Sequence, residues 1–520
     1  LEDRAHLTGT KKHLFGKLIK FLSYQHNQGH SCIVLNEQEQ ALISASGLAM
    51  LNPLTDTELL PLVLEQNRLY LQRYWFYEHR LMLQLKRIAQ QSYDITELQD
   101  LLNSYFNDES QKAAASIALK QGFSIITGGP GTGKTTTVVR ILALLQQQFI
   151  TKPLHIALAA PTGKAAMRLQ ESIGFNKNTL PCSDDIKALI PETVTTLHRL
   201  LGAKPVTPYF KHSAEHPLIY DVVVVDEASM VDLALMSKLL DALKPSARLI
   251  LLGDKDQLAS VESGAVLADL TEALPEHTAE LKTAHRFNEH IKQLASAVNH
   301  QQTDLAWQLF NSGNANIHLL STDLISHIAA KQADYLQFIE QNKPFNEIYA
   351  LFNRFQVLCS NREGKNGVID INYRVEQKLA QQGRIQLSGF WYKGRPIMIT
   401  QNNPSLHLYN GDIGLCLPNK DGKLMVWFLR PDGTIKTYLP SRIVQCETVF
   451  AMTIHKSQGS EFNEVLIVLP DSMNPVLTKE LLYTAITRAK DTIQLIANKQ
   501  VFSATIQQKI SRVTGLVNKF

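Results

Sequence analysis

The spacing of apolar positions changes near residue 109 of this 520-residue chain. Before that point apolar residues recur mainly at helical intervals, as in Leu14, Leu18 and Leu22, and residues 1–108 read as a mostly helical cap with a few short strands. Beyond it, short continuous apolar runs alternate with amphipathic stretches, the signature of a parallel sheet covered by helices. Phe123–Thr127 reads as a strand feeding a glycine-rich loop, and Lys134 to about Gln148 as a helix with Val138, Ile141, Leu142 and Leu145 on one face. Ile156–Ala160 is a further strand, Lys164–Ile173 a helix, and Asp221–Val225 and Leu249–Leu252 two more buried strands. A second region of this kind starts near Leu281, with strands at Phe355–Ser360, Val465–Leu469 and Thr492–Ile496. Inside it, from about 388 to 444, Gly389, Gly394, Gly411, Gly414, Gly422 and Gly433 punctuate short runs such as Leu424–Leu429. That pattern predicts a small antiparallel β module inserted into an α/β domain. The expected units are therefore 1–108, 109–280, 281–387 with 445–520, and 388–444.

Composition narrows the picture in three ways. Hydrophobic residues make up 44% and charged residues 19%, which permits sizeable cores and excludes global disorder. The net charge of +4 neither requires nor excludes a polyanionic partner, and it is uneven: residues 1–110 hold ten Lys/Arg against thirteen Asp/Glu. An acidic N-terminal region fits a protein contact better than a nucleic-acid clamp. The aromatic run Tyr70, Tyr74, Trp75, Phe76 and Tyr77 sits among few basic residues, so it reads as packing at a strand-to-helix junction and not as a base-stacking platform. Cys32, Cys182, Cys359, Cys416 and Cys446 lie far apart with no C-x-x-C pair, which favours free thiols in a reducing compartment over a metal or cluster site. Lys17 and Lys20 interrupt any apolar stretch long enough for a signal peptide, and no run of about 18 apolar residues suggests a membrane span. The first residue is Leu1 and not Met, from which a longer natural N-terminus is expected.

The chemistry is concentrated after two strands. Gly128-Gly129-Pro130-Gly131-Thr132-Gly133-Lys134-Thr135 fits G-x-x-x-x-G-K-[ST] between a strand and a helix, the context a phosphate-binding loop requires. Its glycines let backbone N–H groups curl around phosphate oxygens, and the following helix start adds partial positive charge. Lys134 is expected to reach the β/γ-phosphates of ATP, Thr135 to ligate Mg²⁺, and Thr136 to follow in the same site. Val222–Val225 ends in Asp226-Glu227, which places one carboxylate at the Mg²⁺ shell and a second where it can orient and deprotonate water. If two α/β domains flank one ATP, the second must present positive charge to the γ-phosphate. Arg286 and Arg488 are the candidates for that charge. No acidic cluster with nuclease character accompanies the Mg²⁺ site.

Further segments are similar to the motifs of superfamily 1 helicases. They are Asp108–Lys112, Ala160–Ala166, Thr196–Leu201, Gly253–Leu258, Thr453–Glu461 and Tyr483–Ala489. Within that superfamily the chain resembles, over nearly its full length, the RecD family, the α subunits of RecBCD-type enzymes (exodeoxyribonuclease V). The most telling stretches are Gly128–Thr137, Pro161–Ala166, Asp226–Met230, Gln257–Val266 and His455–Phe462. The resemblance implies two RecA-like P-loop domains with a mostly helical N-terminal domain and an SH3-like β insertion. By the same resemblance Gln111 reads adenine, Gln257 lies near the γ-phosphate, Glu461 belongs to the nucleotide site, and Thr162, Lys164, His198, Thr453 and His455 contact DNA. Those contacts are expected at phosphate and sugar, because a motor must not read sequence. The implied activity is 5′→3′ ATP-dependent translocation and unwinding of single-stranded and duplex DNA ends during break repair and recombination. It would take place in the bacterial cytoplasm at the nucleoid, in a heterotrimer with RecB and RecC, with the cap docked on RecC and nuclease activity in a partner. Two departures stand out, a trimmed N-terminus and a short connection between Leu270 and Arg286. A stand-alone RecD-like helicase and an assembly subunit with regulatory ATP binding remain alternatives.

Overall fold

Four sheets organise the part of the chain that this computed structural model describes, residues 1–53, 60–95, 97–204, 207–260, 262–282, 288–430 and 433–520. The first contains β1 (Cys32–Val34), β2 (Ala49–Leu51), β3 (Leu62–Glu65) and β4 (Arg68–Leu71) in the order β1-β4-β3-β2. The helix Gly9–Asn27 packs Phe15, Leu18 and Leu22 onto it, against Ile33, Leu62, Leu64 and Leu69. Leu14, expected on that face, is exposed, because the buried stripe begins at Phe15. Tyr70 and Trp75 are buried with Cys32, Met50 and Val63, so the aromatic run is indeed packing.

The second sheet holds β5 (Phe123–Thr127), β6 (Ile156–Ala160), β7 (Val194–Thr196), β8 (Val222–Val225), β9 (Arg248–Gly253) and β10 (Thr278–Glu280). Its order is β10-β5-β9-β8-β6-β7, and every neighbouring pair is parallel. The central strands are buried on both faces, which is why they read as unbroken apolar runs. Along β8, Val222 and Val224 enter one core while Val223 and Val225 enter the other. The helix Lys134–Gln148 is buried over most of its circumference, not on the single face its pattern suggested, because helices Glu109–Lys120 and Gly163–Asn178 also pack on it. On the opposite face of the sheet, helix Gln72–Ala89 contributes Leu81, Leu85 and Ile88 to the same core as Leu239 and Leu251. The cap therefore forms one wall of this α/β unit.

The remaining strands are β11 (Ile317–Leu319), β12 (Phe355–Cys359), β13 (Pro396–Ile399), β14 (Ile413–Pro418), β15 (Leu424–Leu429), β16 (Ile435–Tyr438), β17 (Cys446–Thr448), β18 (Ala451–Thr453), β19 (Phe462–Val468) and β20 (Ala489–Ile496). A parallel sheet runs β11-β20-β19-β12-β18. An antiparallel sheet, β16-β15-β14-β13-β17, is inserted between β12 and β18 and reaches Thr448, past the expected end at 444. All five cysteines are free, with Cys182 and Cys446 only partly buried.

After the helix Lys499–Gln507 the chain leaves the second parallel sheet and returns to the cap. The Ser31 N–H donates to Val513 O (3.1 Å), Gly515 N–H donates to Glu78 Oε1 (3.2 Å), and Leu516 enters the core shared by Leu81 and Leu85. Only glycine fits at 515, since a Cβ there would lie 1.9 Å from Tyr70 Oη. The Thr514 hydroxyl donates to Asp269 Oδ2 (2.8 Å). Burial pushes the Asp269 carboxyl up to about 7; nearby Glu78 acts in the same direction, and the Thr514 hydrogen bond opposes it. Between its ordinary value near 3.8 and about 7, the unfolded chain ionises this group while the folded protein keeps it protonated. Stability is therefore lost as pH rises through that window and levels off above it. Asp269→Asn keeps an acceptor for Thr514 and cannot ionise. It is expected to gain relative to wild type between pH 4.5 and 8, by at most about 4 kcal/mol. Denaturant melts at both pH values check this, and a difference independent of pH would refute it.

Candidate functional site

Three neighbouring strands of the second sheet, β5, β9 and β8, open their C-terminal ends side by side. β5 leads into the loop Gly128–Gly133, β9 into Asp254, and β8 into Asp226 and Glu227, the position where parallel sheets place ligands. Gly131 and Gly133 take left-handed conformations (φ 74° and 83°) that let the loop wrap toward the helix start at Lys134. The Lys134 ammonium donates to the carbonyls of Gly128 (2.6 Å) and Gly129 (3.0 Å), and the Thr132 hydroxyl donates to Gly129 O (2.8 Å). Gln111 is buried against the loop: Asp108 caps its helix (Gln111 N to Oδ1, 3.0 Å), and a Cβ on Gly133 would lie 3.1 Å from Gln111 Nε2.

A cavity opens in front of this loop. Of the residues singled out from sequence, Pro130, Gly131, Gly133, Lys134, Thr135, Thr136, Asp226, Glu227, Gln257, Glu461 and Arg488 line it. Gly129 and Thr132 line an adjoining cavity beside Tyr483, and Gly128 lies behind the loop with its carbonyl taken by Lys134. Burial, and secondarily the charge of Glu227, push the Asp226 carboxyl up to about 6. The Glu227 N–H donates to Asp226 Oδ1 (2.9 Å), and Glu227 itself holds a left-handed backbone (φ 51°), a strained conformation for a residue with a side chain. Arg488 is buried on the far side of the cavity, where Nε donates to Thr484 O (3.1 Å) and Nη1 to Ser460 O (3.2 Å). Burial lowers its pKa and the Glu227 charge opposes that shift. Arg286 lies outside the described residues.

Thr135 and Asp226 face the same cavity, and among the described residues no group of three or more acidic, His or Cys side chains forms a metal cage. One hydroxyl and one carboxylate, completed by phosphates and water, suit Mg²⁺, which dehydrates reluctantly and seldom occupies an all-protein site.

The residues expected at DNA lie at or just beyond the ends of β6 and β7, the last two strands on one side of their sheet, and of β18, an edge of the other parallel sheet. Thr162 follows β6 and caps the helix Gly163–Asn178, accepting from Ala165 N (3.2 Å). His198 follows β7 and is exposed beside Phe210 (ring centroids 5.8 Å apart). Thr453 ends β18 and accepts from Lys456 N (3.3 Å), and His455, two residues on, is partly buried. Lys164 departs from this group. It lines a separate cleft with Asp412, Arg168 and Glu461, where burial lowers its pKa to about 8 against the opposing charge of Asp412.

Residues 111–263 match the family model for an AAA domain, and residues 448–496 match that for a UvrD-like helicase C-terminal domain. The RecBCD enzyme subunit RecD of Mycolicibacterium smegmatis is 42% identical over 458 residues, covering 86% of this chain and 81% of that protein. The corresponding subunit of Haemophilus influenzae is 37% identical over 530 residues, covering 88% and 81%. The chain belongs to the RecD family. The ATP-dependent RecD2 DNA helicase of Deinococcus radiodurans is 32% identical over 400 residues, covering 76% of this chain but 50% of that protein.

Sequence reasoning on this RecD-family cleft overlooked three side chains. Asp254 is buried and accepts from Gln257 Nε2 (3.0 Å) and from Tyr483 Oη (3.1 Å), which belongs to the second parallel sheet's helix Lys479–Ile486. Its signal was present, since it follows an apolar strand just as Asp226 does. Tyr483 lay inside a recognised motif without a role attached. Arg168 lines the cavity as well, and its only mark in the sequence is a position one helical turn after Lys164.

If the Arg488 guanidinium acts on charge that develops in the transition state, Arg488→Ala is expected to lower the hydrolysis rate by at least about 100-fold while changing ATP affinity much less. Loss of nucleotide binding with an unchanged rate would instead assign Arg488 a structural role.

Proposed function

We propose that this chain is the ATP-driven helicase subunit of a RecBCD-type complex, translocating 5′→3′ on single-stranded DNA during double-strand break repair and recombination. One observation carries the reading. The phosphate loop of one parallel sheet faces a buried arginine of a second across a single cavity, and the last two strands on one side of the first of these sheets, β6 and β7, lead to Thr162 and His198 while edge strand β18 of the other ends in Thr453. Such a cleft converts the presence of a γ-phosphate into a change in how the two sheets sit, and hence in how two DNA-holding edges are spaced. In this reading the two parallel sheets are RecA-like motor domains and the antiparallel insert is an SH3-like module. Lys134 holds the β/γ-phosphates, Gln111 the base, and Gln257 the γ-phosphate. Thr135 and Asp226 hold Mg²⁺, which when bound neutralises phosphate charge, and Glu227 orients and deprotonates the attacking water. The direction of travel and the RecB and RecC partners come from the family likeness, and nuclease activity falls to a partner. Coverage of about four-fifths of the RecD subunits, against half of the RecD2 helicase, favours the complex-bound reading over a stand-alone one. Among the described residues no helix is long and apolar enough to cross a membrane.

Lys134→Ala should bind ATP poorly, and Glu227→Gln should bind it nearly normally. Both should lose DNA-stimulated turnover by at least about 100-fold in an assay with oligo(dT). Wild-type-like turnover in either variant would refute the assignment.

The cap offers a docking surface. Leu14, Phe21 and Tyr24 of the helix Gly9–Asn27 are 49%, 50% and 60% exposed and share a face next to the buried one. We assign that apolar stripe to the contact with RecC. Truncation before Asn107 would not test it, because it would also remove Leu81, Leu85 and Ile88 from the core of the first motor domain. Phe21→Glu with Tyr24→Glu is expected to weaken assembly with RecB and RecC by at least about 10-fold and to leave the isolated chain's DNA-stimulated ATPase intact. Unchanged assembly on size-exclusion chromatography would remove the stripe from the interface.

A further inference from the structure

The helix Gly163–Asn178 begins at Thr162, on the proposed DNA side, and one and a half turns later carries Arg168 into the nucleotide cavity. Arg168 belongs to the first motor domain, yet the partners of its guanidinium lie on the second. Nη2 is 2.5 Å from Glu461 Oε1, and Nη1 donates to Gly459 O (3.1 Å). Arg488 is held differently. The acceptors of its guanidinium, Thr484 O, Ser460 O and Thr487 Oγ1, all belong to its own domain. An arginine tied to its own domain is a fixed charge, whereas one tied across a cleft must let go or carry the other side with it whenever the cleft changes width. The cavity already sets Lys134, Arg168 and Arg488 against Asp226, Glu227, Asp254 and Glu461. A triphosphate adds several negative charges to that balance and competes directly with Glu461 for the bridging cation.

We propose that Arg168 is a positioning residue that transmits nucleotide state to the DNA path: its bridge to Glu461 and Gly459 sets the spacing of the two motor domains, and the terminal phosphate draws it from that bridge, moving the helix that starts at Thr162. Lys164, one turn earlier on the same helix, faces Asp412 of the inserted module. The rod is thus in register with the second half of the chain at two levels.

The proposal rests on the motor reading, and the experiment separates the two. ATPase is measured on the full chain with and without oligo(dT), alongside binding of a fluorescent ATP analogue, for wild type, Arg168→Ala, Arg168→Lys and Glu461→Gln. Wild type without DNA-stimulated ATPase would overturn the motor reading itself. With wild type active, Arg168→Ala is expected to keep nucleotide affinity within about 3-fold while its DNA-stimulated kcat falls at least about 10-fold, so that the ratio of stimulated to basal rate collapses. Arg168→Lys keeps the charge but cannot contact Glu461 and Gly459 together, and is expected to recover only part of the ratio. Glu461→Gln leaves Arg168 in place with a weaker partner and is expected to lower the same ratio, which carries the test if Arg168→Ala fails to fold. A stimulation ratio unchanged within about 2-fold in the folded variants, or a fall in rate matched by an equal fall in affinity, would overturn the proposal.

Discussion

Asp254 is a carboxylate without solvent at the point where the two parallel sheets meet, and the cleft geometry depends on how it is satisfied. Burial raises its pKa, and an unpaired carboxylate in that position would cost several kcal/mol or take up a proton. Gln257 and the Asp256 N–H answer it from its own loop, and Tyr483 Oη answers it from the other domain. Around this point the contact widens: Leu258 N donates to Thr484 Oγ1 (3.0 Å), and Gln458 Nε2 donates to Leu258 O (3.0 Å). The loop that follows β9 is therefore hydrogen-bonded on both sides of the cavity. Any change at the phosphates reaches the second parallel sheet, β11-β20-β19-β12-β18, through a polar junction whose groups cannot be left unpaired, so the two domains shift between defined contacts and do not drift apart.

The same loop is also held from behind. Arg512, in the segment that returns from the second parallel sheet, donates to the carbonyls of Ser260 (2.5 Å), Glu262 (2.9 Å) and Gly264 (2.7 Å). Three residues later Gly515 meets the buried Glu78 of the cap, whose carboxyl is raised by burial and also accepts from Ser31 Oγ (2.5 Å). The chain's end thus ties the cap, the β5–β10 sheet and the loop after β9 into one body. The cap's helix Gln72–Ala89 completes the core of the first parallel sheet, β5 to β10, so that part of the cap is structural.

The parallel sheets were legible because strands buried on both faces must be continuously apolar, and Phe123–Thr127 and Ile156–Ala160 end where that argument puts them. The candidate site was legible where its residues followed such strands, since a strand end fixes its next residue in space; the Gly128–Thr135 loop and Asp226-Glu227 are of this kind and converge on one cavity. What sequence spacing could not supply was contact between distant segments. Nothing local announces that Arg168 pairs with Glu461, or that the residues after Gln507 abandon the second parallel sheet for the cap. Periodicity also misjudged the helix Lys134–Gln148, because a four-residue face describes a helix covered on one side, and this one has neighbours around it. Lys164 shares a cleft with Asp412, which lies in a segment more than two hundred residues away in the sequence that no local pattern announces.

That segment, the inserted antiparallel module, occupies a position its composition does not suggest. A Cβ on Gly163 would lie 2.9 Å from the ring of Tyr409, so the start of the helix after β6 is in contact with the module. Asn410, the next residue, accepts from Lys456 Nζ (2.7 Å), just beyond Thr453 at the end of β18. Asp412 faces Lys164 and lies 3.8 Å from Arg430 within the module. A single turn, Tyr409–Asp412, therefore touches both strand ends to which DNA contacts are assigned, one on each parallel sheet. If those strand ends change their separation when the cleft responds to nucleotide, this turn must give up one contact or rotate with both. The module is therefore joined to both parallel sheets through that turn, at Gly163 and at Lys456, and is not only a surface insertion.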